Sequence, residues 1–131
     1  MLPETRGEYD LPIPLQGTFH YRADRPFRVT LTLSADHLTL PTWVFARSLL
    51  LDGLHVPVGQ GDVVVRPAYC GTAEPCVHIR LRTPHYSCVL ATQRRNLADW
   101  LALTTALVPP GTEHAHFDLD AELARALARP G

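Results

Sequence analysis

The chain has 131 residues, 46% of them apolar, with 12 arginines, no lysine and 13 acidic residues, for a formal net charge of −1. A chain of that length can bury about two thirds of its unfolded surface, so a single core without metal or disulfide staples is expected. The balanced charge argues against a dedicated nucleic-acid binder, whose phosphate affinity rests on clustered positive charge. The longest apolar run, Trp43 to Leu51, is interrupted by Arg47 and Ser48 and falls far short of the roughly 20 residues of a membrane span.

Residues 1–16 are crowded with proline and polar side chains, and Leu11-Pro12-Ile13-Pro14 lacks two of the amides that a central strand needs. They are expected to form an extended lead-in to one domain spanning residues 17–131. No apolar signal segment stands out there, and the cytoplasm is the expected compartment. From Gly17, Phe19 and Tyr21, and then Phe27, Val29, Leu31 and Leu33, alternate with polar residues. This predicts two strands joined at Ala23-Asp24-Arg25-Pro26, with a brief third at Leu38-Thr39-Leu40. Thr42 is placed to cap a helix over Trp43–Leu51, which Gly53 would end with a left-handed cap. That helix is apolar on nearly every side, so Trp43, Phe45, Leu49 and Leu50 are candidate anchors of the core or of a subunit contact.

Gly59, Gly61 and Asp62 supply turn chemistry ahead of the strand Val63-Val64-Val65. Val77, Ile79 and Leu81 alternate with His78, Arg80 and Arg82 in the clearest period-two pattern of the chain. Thr83-Pro84-His85 turns this strand into another over Tyr86–Ala91. Thr92 would cap a helix whose Leu97, Trp100, Leu101, Thr104 and Leu107 recur at three- and four-residue steps, and Pro109-Pro110-Gly111 ends it. An extended piece, Thr112 to Phe117, leads to Asp118 as the cap of a final helix with Leu119, Leu123, Ala126 and Leu127 inside. The fold class that follows is α+β, a curved, barrel-like antiparallel sheet with three helices.

Cys70, Cys76 and Cys88 are odd in number, and in a reducing cytoplasm they are expected to stay free. Cys70 and Cys76 flank a segment with the look of a hairpin loop, where a bridge is geometrically conceivable. Cys88 reads as a small apolar residue in its strand. His114 and His116, two apart on an extended piece, would point to one side as metal ligands do. The preferred reading makes His114, His116, Phe117 and Asp118 a structural motif instead. Ser34, Ser48 and Ser87 sit in no nucleophile elbow, and no P-loop or dinucleotide loop appears, so neither catalytic residues nor a cofactor are expected. Arg94 and Arg95 stand in the first turn of a predicted helix, against its dipole. With Arg80 and Arg82 they are candidates for binding an acidic partner; the competing reading is solvated arginines lying over apolar neighbours.

Trp43-Val44-Phe45-Ala46-Arg47, Leu49-Leu50, Gly53-Leu54-His55, Pro57, Gly59, Gly61-Asp62-Val63 and Arg66-Pro67 form one ordered block. Upstream stand Leu11-Pro12-Ile13-Pro14, Tyr21, Ala23-Asp24, Pro26-Phe27 and Val29. Downstream stand Val108 to His114, His116 to Asp120, and Glu122-Leu123. In these blocks, which cover most of residues 11–127, the chain resembles the SsgA-like family of actinobacterial sporulation and cell-division proteins, with the C-terminal block nearest the SsgB type. The resemblance implies a β-barrel-like protomer, similar to the Whirly-type fold, assembled as a homotrimer. It further implies a non-catalytic, cytoplasmic scaffold or adaptor at division septa, acting on FtsZ, on septal wall-synthesis proteins or on another SsgA-like protein. Relatives begin with an extra strand where this chain has only polar, unpatterned residues, so an edge strand is expected to be missing. Tyr69–Thr92 matches in strand pattern alone. Single-stranded nucleic-acid binding through Arg80, Arg82, Arg94 and Arg95 is the alternative function that the Whirly likeness implies.

Overall fold

The computed structural model describes residues 4–6, 15–35, 38–59, 61–71 and 74–116. Its first sheet is organised by β3 (Arg28–Ala35), where Val29, Leu31 and Leu33 are buried and the residues between them are not. On one side β3 pairs antiparallel with β2 (Gln16–Tyr21), Phe19 opposite Leu31, through the short turn at residues 22–27. On its other side lie β4 (Leu38–Thr39) and β5 (Trp43–Ala46), the latter with Phe45 opposite Val29.

The second sheet, in the order β1-β8-β7-β6, is antiparallel throughout. Its strands are β1 (Glu4–Arg6), β6 (Val63–Cys70), β7 (Glu74–Arg82) and β8 (Ser87–Gln93). Ile79 lies between Val65 and Leu90, and all three are buried. Two separate four-stranded sheets thus stand where one curved sheet was expected. They share one core cluster, completed by Leu50 and Leu54 from α1 (Arg47–Gly53) and by Leu97 and Leu101 from α2 (Arg94–Leu107).

Several expectations are corrected. Trp43–Ala46 is a strand and not the start of a helix, because Trp43, Val44 and Phe45 are all strand formers and β3 offers them a partner edge. The helix begins at Arg47 without a side-chain cap, and Thr42 lies outside it. Gly53 is required for close packing, not for a left-handed cap. A Cβ at that position would come within 2.7 Å of Val65 Cβ, and nearer still to Cγ1. Gly59 and Gly61 do have positive φ, 104° and 84°, in the expected turn, and the Asp62 carbonyl accepts the Arg82 amide at 2.9 Å.

Thr92 belongs to β8, and Gln93 is the residue before α2. The edge strand expected to be missing is present as β1, with Thr5 opposite Cys88, inside the segment expected to be a lead-in. In β6, Pro67 lies opposite Val77, a position tolerable because β6 is outermost in its sheet.

Cys70 and Cys76 are joined in a disulfide, with Cα atoms 5.8 Å apart, where free thiols were expected. The β6–β7 hairpin brings the two strand ends together regardless of compartment. Cys88 is free and buried in the core. After α2, Pro109–Gly111 turns the chain into α3 (Glu113–His116), a short helix in place of the expected extended piece. The final helix expected from Asp118, and the Leu11–Pro14 motif, lie outside the described residues. Among the described residues no helix is long and apolar enough to cross a membrane.

Candidate functional site

Of the polar groups in the apolar run, Arg47 is the one the fold draws inward. Its side chain is 3% exposed. The β5–α1 junction anchors its backbone, whose amide donates to the Phe27 carbonyl at 2.8 Å. Its guanidinium reaches the C-terminal end of α2, where Nη1 donates to the carbonyls of Thr104 at 3.1 Å and Val108 at 2.8 Å. The last carbonyls of a helix lack partners within the helix and carry its negative dipole end, so a buried cation is well matched there. Glu113 lies 3.5 Å from Arg47 Nη2, and the Tyr21 ring lies under the guanidinium at 5.0 Å from its centroid. Burial raises the pKa of the Tyr21 phenol, against the opposing pull of Arg47, and its hydroxyl donates to the Pro26 carbonyl at 2.9 Å. Every contact here is internal, so Arg47 is a structural hub. In the sequence Arg47 stands out only as an interruption of the apolar run.

The other anchors are also internal. Phe45 and Leu50 are core residues, while Trp43 and Leu49 pack against the core half-buried. Trp43 Nε1 donates to the Tyr86 hydroxyl at 3.2 Å. Within the protomer, burial accounts for Phe45 and Leu50, while Val44 in the same run is exposed.

The four candidate arginines fall on two faces. Arg80 and Arg82 alternate with buried Ile79 and Leu81, so they lie on the face of β7 away from the core. Arg94 and Arg95 begin α2, which packs Leu97 and Leu101 on the core side. Arg94 is half-buried. Its Nε donates to the Leu54 carbonyl at 2.9 Å, and Nη2 lies 3.1 Å from His55 Nδ1, so it secures the end of α1. Arg82 and Arg95 are exposed. The single basic patch on which nucleic-acid binding would depend is not assembled.

Around Arg80 a smaller group forms that the sequence did not bring out. Arg66 on β6 stands opposite His78, and Arg80 stands two residues along β7. The three side chains line a recess of about 110 Å³ with Val64 and Val89. His78 Nδ1 and Arg80 Nε are buried and, among the described residues, have no hydrogen-bond partner. Burial, then the charge of Arg66, lower the pKa of His78. The cross-strand neighbours are readable only once the register is known, although the period-two pattern had put His78 and Arg80 on one face.

His114 and His116 lie in α3, where residues two apart point to nearly opposite sides, unlike the strand geometry that would pair them as ligands. His114 instead packs edge-on against the Phe27 ring at 5.3 Å between centroids. Phe117 and Asp118 lie outside the described residues.

A profile of the family described as "Streptomyces sporulation and cell division protein, SsgA" matches residues 15–113. The sporulation-specific cell division protein SsgB of Streptomyces coelicolor is 42% identical over 93% of this chain and 87% of its own length. The crystal structure of an SsgA-like sporulation-specific cell division protein from Thermobifida fusca superposes with a TM-score of 0.78 at 30% identity, covering 95% of this chain and 90% of that one. A structure from work on SsgB mutations that correlate to longitudinal cell division during sporulation of Streptomyces coelicolor gives 0.73 at 37% identity, covering 89% and 91%.

Proposed function

Because the chain belongs to the SsgA family of sporulation and cell-division proteins, we propose that it is a non-catalytic scaffold of sporulation-specific division. In this reading it positions septa by recruiting FtsZ or septal wall-synthesis proteins, directly or through another SsgA-like protein. The observation that carries the reading is the likeness to SsgB along nearly the whole chain, in sequence and in fold. A cytoplasmic location at the septum and assembly as a homotrimer belong to the same reading. Leu103 and Leu107, exposed on α2, offer apolar surface for a second copy. Arg82 and Arg95, exposed on different faces, offer guanidinium groups for an acidic partner.

The test is co-sedimentation of the purified protein with FtsZ polymers at two salt concentrations, with Arg82→Glu and Arg95→Glu alongside. Arg94→Ala serves as the contrast, because its loss loosens α1 before it alters any surface. Salt-sensitive pelleting that falls in a folded Arg82 or Arg95 variant supports direct recruitment. Absence of pelleting with FtsZ and with wall-synthesis proteins, together with unchanged septation in a deletion strain, overturns the proposal.

A further inference from the structure

The recess on the outer face of the second sheet has properties that the division reading does not use. Arg66 and Arg80 bring two positive charges to one small space, and among the described residues neither has an ion pair. The cross-strand neighbours of Arg80 are Val64 and Val89, apolar walls that raise the cost of leaving charge uncompensated. Two buried polar atoms, His78 Nδ1 and Arg80 Nε, have no hydrogen-bond partner among the described residues. Each such atom carries an uncompensated desolvation cost unless something pairs with it. The lowered pKa of His78 keeps its ring neutral near neutral pH, so the ring can serve as one donor without adding a third like charge. The recess, about 110 Å³, has room for one oxyanion group.

We propose that Arg66, His78 and Arg80 form an oxyanion site that takes a phosphate dianion, free or as a small monoester. Two guanidinium groups and an imidazole supply charge-assisted donors to a group carrying two negative charges, and a dianion balances the two arginines where a single carboxylate would balance only one. The site is independent of septum recruitment, and either idea can fail without the other.

The experiment is calorimetric titration of the full chain with inorganic phosphate at constant ionic strength, repeated with phosphoserine and with acetate. Saturable phosphate binding with a Kd below about 1 mM is expected. Arg66→Gln changes an exposed residue and keeps the fold, and it should weaken binding by about tenfold, the loss of one charge-assisted hydrogen bond. Arg80→Gln should do the same wherever its thermal unfolding shows it folded. Arg82→Gln, whose side chain does not line the recess, should leave binding within about twofold. Phosphoserine binding as tightly as phosphate assigns a monoester, and weaker phosphoserine binding assigns the free ion; both support the site. Absence of saturation, equal binding of acetate, or phosphate binding unchanged in Arg66→Gln overturns it. Glu4 stands at the register position beside Val89. Phosphate binding that appears only in Glu4→Gln would mean that the chain supplies its own anion, and would also overturn the proposal.

Discussion

Arg47 Nη1 donates to the Val108 carbonyl at 2.8 Å across 61 positions of sequence. The bond ties the β5–α1 junction to the end of α2, and the same guanidinium contacts Tyr21 and Glu113. Replacing Arg47 with Leu should lower the unfolding free energy by about 3 kcal/mol, since it removes the buried cation that the Thr104 and Val108 carbonyls and the Glu113 carboxylate share. Urea denaturation checks this. Arg47→Lys should recover only part of the loss, because an ammonium lacks the planar fork that reaches several acceptors.

Gly53 and Val65 are in contact so close that no side chain fits between them. Gly53→Ala should destabilise by about 1–3 kcal/mol through overpacking, despite the better helix propensity of alanine. In the double variant Gly53→Ala/Val65→Ala the two costs should sum to less than their separate values, which a double-mutant cycle in urea measures. Additive costs would place the strain elsewhere.

Alkylation followed by mass spectrometry reads the thiols. The native, unreduced protein should take no label, because burial both hides Cys88 and raises its pKa. Denaturation without reductant should expose one thiol, and with reductant three. Opening the Cys70–Cys76 bridge should cost about 2 kcal/mol of stability on the chain-entropy account of a short loop.

The depressed pKa of His78 fixes a sign for the pH dependence of stability. The unfolded chain takes up its proton first as the pH falls, so this contribution is fully present above about 6.5 and is lost as the pH drops through the lower folded value. Burial of the ring, and then the charge of Arg66 on β6, oppose protonation. Unfolding midpoints measured from about pH 8 to about pH 5, either side of the ordinary histidine pKa of about 6.5, should decline less steeply in His78→Gln. An unchanged slope would remove His78 from the balance.

Much of the architecture was legible because it rests on strict alternation. Val29, Leu31 and Leu33, and Val77, Ile79 and Leu81, announce strands with one buried face, and Leu97 and Leu101 announce the inner side of α2. Trp43–Ala46 was misread because a short apolar run is equally compatible with strand and helix, and only the free edge of β3 decides it. Three polar residues carry no pattern, which is why β1 was not foreseen. Arg94 was conspicuous for breaking the dipole rule, but its destination, the carbonyl of Leu54, depends on how two helices dock. Arg47 carried one signal that was available: a lone cation in an apolar run, with no acidic residue in the first turn of its own helix.

Pro67 bears on how copies of this chain meet one another. Val65 turns its backbone N–H and C=O outward to Val58, at 2.9 and 2.8 Å, and Pro67, two residues on, faces the same way with no N–H to give. A foreign strand approaching β6 would find one outward position already taken and the next unable to donate. Growth of the sheet by strand addition, the route to fibres, is blocked at that border, and association is directed to side-chain surfaces, which can be tuned residue by residue.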